Sequence, residues 1–423
     1  MNERIALAEH VDLRAAAAAP YAPAATLPAG ATSLYGPDVP FGSPAFAIRD
    51  AEDITPSALA VPRDAIPGWR ALGSLWPGER FIVRIPEDWN GRLVAVGTPA
   101  QRSEFACDRF FSDPLLERGY AYVCGNKGQG DGAVLLEPGA RFTLDGVTLP
   151  RYLLPGGRGI SFWQHAPGHT MERWAEELIA ITRAAAEVIT AVHGQPPAQT
   201  FALGLSNGGY EVRRAIEESD LYAGALTWNA VLWTVEHNLL RHLPQAVAAM
   251  RAGRPERLEA LGFPPDVRGI SGASLYEKNF ATYWALTAWL HAMNLDPQTS
   301  LAYSDVRDPE PAERWNAHIE DWEFDRSPVI AQRVQRYANT GRIRCPLVEL
   351  ASEYDHLIPP ALHLEPYARL IARAGRSHLY RSEMLAKAQH VDRWSEDADF
   401  PQLELGYPRV LRAFDELAAT TAS

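Results

Sequence analysis

Cysteine is nearly absent: Cys107, Cys124 and Cys345 are the only three in a chain of 423 residues. An odd, scattered set does not build the paired framework of a small secreted domain, and it fits a reducing, cytoplasmic setting. Basic clusters are missing too. No basic run is longer than Arg213-Arg214, and 40 basic against 52 acidic side chains leave a formal net charge of −12. A nucleic-acid partner needs clustered cations to neutralise phosphates, so that class is excluded, and the same charge disfavours a strongly anionic substrate. Long apolar runs are also lacking. The most apolar long stretch, Leu221 to Val235, is shorter than the ~20 residues that span a bilayer and is interrupted by Thr227 and Asn229. At the N-terminus Arg4 stands among Glu3, Glu9 and Asp12, and the longest apolar run is Ala15 to Ala19. Neither a secretory signal nor a membrane anchor is expected.

What is present is ordinary globular composition, 47 % hydrophobic and 22 % charged, in a length that one α/β core plus an insertion absorbs. Residues 1–40 read as an N-terminal arm, because Ala and Pro dominate residues 12 to 40 and large apolar side chains are too few to offset the entropy of ordering. Beyond residue 70, short apolar runs read as strands: Phe81 to Ile85, Arg92 to Val96 and Tyr120 to Cys124. Asp145-Gly146 between two alternating runs marks a hairpin. Thr170 to His193 reads as a helix that Thr170 caps, with Trp174, Leu178, Ile181, Ala185, Val188 and Val192 on one face; Gly194 and Pro196-Pro197 end it. A strand at Thr200 to Leu203, a helix from about Gly208 to Glu218 and a strand at Ala223 to Trp228 follow. This alternation predicts a mostly parallel central sheet with helices on both faces. It stops between Leu232 and Arg342, where the pattern turns helical and Trp233, Trp284, Trp289, Trp315 and Trp322 accumulate. It resumes with a strand at Pro346 to Leu350, a helix at Pro360 to Ala374, a strand at His378 to Met384 and a last helix at about Leu403 to Leu417. The expected organisation is therefore a core of residues 41–231 and 343–423, interrupted by a mainly helical lid at 232–342.

The strand at Thr200 to Leu203 runs straight into Gly204-Leu205-Ser206-Asn207-Gly208-Gly209, and a helix starts at once. This is G-x-S-x-G in strand–turn–helix context. A serine lifted on so tight a turn needs near-absent side chains on both flanks, which Gly204 and Gly208 supply. Ser206 then stands at a helix N-terminus, where free N–H groups favour negative charge. A serine hydroxyl needs a base to take its proton, and the base needs a carboxylate to orient it. On such elbows the acid and then the histidine follow the serine along the chain. Asp355, in the loop after the 346–350 strand, is the expected acid, with Glu353 the alternative. His390, in the loop after the next strand, is the expected base. His356 and His363 lie too near Asp355 to come from a different loop, His378 opens a strand, and Asp392 reads as a cap or surface charge. For the oxyanion, the Asn207 N–H is one donor; Pro99 has none, which leaves Thr98 or Ala100 as the second, Thr98 being preferred.

Other motifs are set aside. Gly125 to Gly132 resembles a phosphate loop but lacks the G-x-x-x-x-G-K-[ST] frame and leads into a hairpin; it is expected to line the pocket through Asn126. His165 and His169 find no third ligand, and Pro167-Gly168 between them denies helical geometry, so neither metal nor cofactor is expected. The tryptophans of the insertion are core by base rate, with Trp233 and Trp284 the candidates to face a substrate.

These motifs, in this order, resemble the α/β-hydrolase superfamily over about residues 75–232 and 343–418. Trp89-Asn90-Gly91-Arg92-Leu93, the Ser206 to Tyr210 elbow and His390-Val391-Asp392 are similar to tannase and feruloyl esterase relatives. Those esterases usually carry cysteines where this chain has Leu205 and Val391. The resemblance implies an α/β-hydrolase fold with a lid before the acid-bearing strand, hydrolysis of a hydrophobic or aromatic carboxylic ester, and triad roles for Ser206, His390 and Asp355. The Ser-Asn-Gly-Gly run is also similar to hydrolases of hydroxyalkanoate oligomers. Lactone, amide and C–C substrates remain alternatives with the same triad. A non-catalytic binding protein on this fold is the rival of another class.

Overall fold

Along Arg92 to Gly97 and Gln199 to Leu205, apolar side chains follow one another without the polar alternation of a half-exposed strand. Such runs belong to strands buried on both faces. The computed structural model describes residues 4–5, 8–14, 32–33, 64–75, 79–99, 104, 107–127, 133–136, 142–144, 147–149, 152–153, 159–162, 171–296, 322–392 and 394–421. Among them one sheet holds ten strands: β1 (Arg4–Ile5), β2 (Glu9–Asp12), β3 (Pro67–Ser74), β4 (Phe81–Pro86), β5 (Arg92–Gly97), β6 (Ala121–Gly125), β7 (Gln199–Leu205), β8 (Gly224–Trp228), β9 (Leu347–Ser352) and β10 (Tyr380–Leu385). Their spatial order is β1-β3-β4-β6-β5-β7-β8-β9-β10, with β2 also pairing β3. Pairings β3/β4 and β4/β6 are antiparallel. From β6 through β5, β7, β8 and β9 to β10 every pairing is parallel.

The helices are α1 (Asp113–Glu117), α2 (Trp174–His193), α3 (Asn207–Glu218), α4 (Leu239–Arg251), α5 (Arg257–Ala260), α6 (Leu275–Asn279), α7 (Ala285–Leu295), α8 (Pro328–Arg336), α9 (Pro360–Arg373) and α10 (Tyr407–Thr420). Alternate strand residues feed opposite cores. Val94, Val96, Phe201, Leu203 and Leu350 pack with Leu115 of α1 and Val410 and Phe414 of α10. Leu93, Ala95, Ala202 and Leu347 pack with Leu178 and Ile181 of α2, Val212 and Ile216 of α3, and Ile371 of α9. A third cluster joins α4, α7 and α8 to Trp174 and Tyr210 beside the sheet. No helix among the described residues is long and apolar enough to cross a membrane. None of the three cysteines, all buried, forms a disulfide.

The mostly parallel sheet with helices on both faces matches the architecture expected from the alternation, and Val147 pairs with Leu144 on either side of Asp145 and Gly146, which lie outside the described residues. Three expectations need correction. The arm placed at 1–40 is partly built into the fold: β1 and β2 pair with β3, Thr32–Ser33 pairs with Ala133–Leu136, and Leu13 is buried. Backbone pairing orders these residues despite their poor apolar content. His378 sits in a 3-10 turn, and the strand begins at Tyr380. The last helix begins at Tyr407 rather than Leu403, with Pro408 in its first turn. The Thr170 cap lies outside the described residues.

Candidate active site

Strand β7 ends at Leu205 and α3 begins at Asn207, so Ser206 alone turns the chain, at φ 57 and ψ −121. An L residue holds that conformation only under constraint. The constraint is backbone closeness. A Cβ on Gly204 would strike the Gly208 carbonyl, and one on Gly208 would strike that of Gly97. The Ser206 peptide groups are held as well: its N–H donates to Trp228 O at 3.0 Å, and its carbonyl accepts from Tyr210 N at 3.2 Å and Val231 N at 3.1 Å.

Because β7, β9 and β10 run parallel, the loops that follow them emerge at one edge of the sheet. There the side chains of Ser206, His390 and Asp355 meet. Ser206 Oγ lies 3.1 Å from His390 Nε2, and His390 Nδ1 lies 2.7 Å from Asp355 Oδ2. A carboxylate only accepts, so the ring proton belongs on Nδ1 and Nε2 is left to accept from the serine. Asp355 Oδ1 takes the N–H groups of Leu357 at 2.9 Å and Ile358 at 2.7 Å. Asp355 is 0 % exposed, while Ser206 keeps 7 % and His390 5 %. Tyr354 N donates to Ala388 O at 2.9 Å, tying the acid loop to the histidine loop.

Sequence reasoning missed Asn229, at the end of β8. Its Nδ2 donates to His390 O at 2.6 Å and Ser352 Oγ at 3.0 Å, and its Oδ1 accepts from Ser352 N at 2.7 Å. It holds φ 47 to do so, a left-handed conformation that Asn tolerates. Asp392, read as a cap or surface charge, is a buried cap: Gly406 N donates to Oδ1 at 3.0 Å and Tyr407 N to Oδ2 at 2.8 Å. Burial pushes its carboxyl up to about 6, against the pull of those two N–H groups. The rejected His363 accepts the Leu232 N–H at 2.9 Å on Nδ1, in the interior.

Asn207 occupies the first helical position of α3, where a backbone N–H has no intrahelical acceptor. Its side chain lies 3.2 Å from Nε2 of His291 on α7. His291 Nδ1 faces Thr287 O at 2.7 Å, and burial lowers its pKa to about 4. The neutral ring therefore donates through Nδ1 and accepts at Nε2, which calls for the Asn207 NH2 to face it. Thr98, the expected second donor, directly follows β5. Its carbonyl accepts from Lys127 Nζ, and the residue is buried. Ala100, the other donor considered, lies outside the described residues.

Trp233, Trp284 and Asn126 were expected to meet substrate, and each is instead 0 % exposed. Trp284 gives its indole N–H to His356 O at 2.7 Å. Trp233 packs on the His291 ring, centroids 5.4 Å apart. Asn126 accepts the Arg80 N–H at 2.9 Å and returns its own N–H to Arg80 O at 2.9 Å. Large apolar rings and a buried amide fill the interior here. The side chain of Trp289 and all of Trp315, His165 and His169 lie outside the described residues. Among those described, no three His, Cys, Asp or Glu side chains are grouped to hold a metal ion.

No family model matches the sequence, and no curated protein is similar to it. Solved structures are similar in fold. Feruloyl esterase B from Aspergillus oryzae is 10 % identical, the match covering 80 % of this chain and 77 % of that one at a TM-score of 0.50. Tannin acyl hydrolase from Aspergillus niger is 12 % identical over 86 % of this chain and 80 % of that one, at 0.45. The acylaminoacyl peptidase of Pyrococcus horikoshii is 11 % identical over 80 % of this chain, at 0.39, and this chain spans only 39 % of its length. With the strand order, the likeness to feruloyl esterase B defines an α/β-hydrolase fold.

Proposed function

We propose that this protein is a serine hydrolase of carboxylic esters, with Ser206 as nucleophile, His390 as general base and acid, and Asp355 as the group that orients His390. The observation that carries the reading is the chain Ser206 Oγ to His390 Nε2, 3.1 Å, and His390 Nδ1 to Asp355 Oδ2, 2.7 Å, at a strained strand-to-helix turn. In this reading Ser206 Oγ bonds to the ester carbonyl carbon while its proton passes to His390 Nε2. Asp355 stabilises the imidazolium without taking its proton. The negative charge on the former carbonyl oxygen meets the Asn207 N–H and the positive end of α3. Collapse breaks the bond to the alcohol, which leaves with the proton from His390. Water, deprotonated by His390, then frees the acid and regenerates Ser206. The similarity to tannase and feruloyl esterase relatives favours a hydrophobic or aromatic acyl group.

Ser206→Ala is expected to lower hydrolysis of a short aryl ester by about 10³-fold or more, since losing the nucleophile of such a unit removes most of its catalysis. Circular dichroism should stay unchanged. Undiminished turnover in the variant, or a folded wild-type protein that a fluorophosphonate does not label at Ser206, would sink the reading and leave the binding-protein alternative.

A further inference from the structure

The loop after β6, set aside as a phosphate-loop mimic, carries a buried cation. Lys127 holds φ 59, an uncommon conformation for a residue other than glycine, and its side chain is 0 % exposed. Three groups receive the ammonium. It donates to Thr98 O, lies 3.4 Å from Glu211 Oε2, and sits 4.4 Å from the ring centroid of the buried Trp174. Glu211 is on α3, five residues beyond Ser206. The Thr98 carbonyl is thus held by a pair of buried side chains, Lys127 directly and Glu211 through it. One member of the pair is rooted in the helix that begins at the nucleophile.

We infer that the buried Lys127–Glu211 pair is a positioning device for the oxyanion loop, locking the backbone that follows β5 to the helix that follows Ser206. This rests on the serine-hydrolase reading and adds to it. A rate-determining oxyanion needs donors fixed before the charge develops, and a misplacement of about 1 Å costs on the order of 10²-fold. Gly97 and Gly208 already bring the loop and α3 into backbone contact. Lys127, held by Glu211, adds a bond to the Thr98 carbonyl and so fixes the residue whose N–H is the expected second oxyanion donor. Burial draws both members towards their uncharged forms, Lys127 downward and Glu211 up to about 8, while their mutual attraction opposes this. In either form one proton is shared between them, so the grip on Thr98 is kept.

The test compares Lys127→Met and Glu211→Gln with wild type, using p-nitrophenyl acetate turnover and inhibition by an aryl boronic acid, whose tetrahedral adduct needs the oxyanion donors. Lys127→Met is expected to lose about 10- to 100-fold in kcat with KM within about threefold. Boronate affinity should weaken in step with kcat/KM, while binding of the free acid product stays unchanged. Glu211→Gln keeps an acceptor facing the Lys127 ammonium, so it should retain more activity than Glu211→Leu. An unchanged kcat in folded Lys127→Met overturns the inference, as does a rise in KM with boronate and product weakened equally. Should Lys127→Met fail to fold, the Glu211 pair decides: equal activity of Gln and Leu variants overturns it. Fluorophosphonate labelling of wild-type Ser206 separates the two levels. Unlabelled wild type removes the hydrolase reading itself, whereas labelled wild type with a fully active Lys127→Met removes only the positioning role.

Discussion

Among single residues, Asn229 shows how much of a site can rest on a side chain that touches no reacting atom. It holds the carbonyl of His390 and both the N–H and the hydroxyl of Ser352, so one amide fixes the histidine loop against the end of β9. Asn229→Ala removes all three bonds and places an alanine at φ 47. We expect a loss of about 1–3 kcal/mol from the stranded buried groups, read by urea unfolding. We also expect kcat on an aryl ester to fall by about 10-fold or more with KM little changed, because Nε2 would no longer be held at 3.1 Å from Ser206. Equal kcat would assign Asn229 to stability alone. Nothing local in the sequence marks this residue. Its partners stand 123 and 161 positions away, and only the side-by-side arrangement of β8 and β9 joins them.

For whole elements, the strands and helices of the core were legible because their period changes where the chain changes partner: continuous apolar runs for β5 and β7, helical spacing for α2. Ser206, Asp355 and His390 were legible for a related reason. In a parallel sheet the strand ends share an edge, so chain order alone nominates which loops meet. What sequence reasoning lacked was depth. Trp233 and Trp284 were read as pocket residues from their types, yet they are buried in the cluster of α4, α7 and α8, and Asn126 is buried against Arg80. Short edge strands such as β1 and β2 also escaped it, since backbone pairing rather than side-chain pattern orders them. The start of α10 was misplaced for want of its cap, because Asp392 reaches it from 14 and 15 residues upstream. Asp392→Ala should cost about 1–2 kcal/mol through the loss of two N-terminal acceptor bonds. A drop of about 1–2 °C in the thermal midpoint at pH 7.5 would show it, and an unchanged midpoint would remove Asp392 from the account of α10.

Over the whole molecule, the buried titratable groups set how stability depends on pH. His242 and His291 are lowered to about 4 by burial, and burial lowers His356 and His363 as well. Each ring is neutral when folded and binds a proton near pH 6.5 when unfolded. Their contribution is complete above about pH 6.5 and is lost as pH falls towards 4. Asp392 and Glu79 act in the opposite sense. Burial raises them to about 6 and about 10, with Glu177 adding to Glu79, so the folded state keeps protons that the unfolded chain has released. Stability therefore declines with rising pH through those windows. Lys127 and Glu211 share one proton folded, and unfolded they hold one on the lysine, so near pH 7 they add no slope. Four histidines outweigh two carboxyls between about pH 4 and 6, and above about pH 7 Glu79 is left alone. The expected curve has its maximum near pH 7, a steep acid limb and a shallow alkaline limb of about 1.4 kcal/mol per pH unit. Glu79 has no hydrogen-bond partner among the described residues for either carboxyl oxygen, so an uncharged isostere removes its cost without breaking a bond. Glu79→Gln should raise the thermal midpoint at pH 8 and leave it nearly unchanged at pH 5, flattening the alkaline limb while the histidine limb stays. A variant equally stabilised at both pH values, or destabilised at pH 8, would show that Glu79 is ionised and paired in the folded protein.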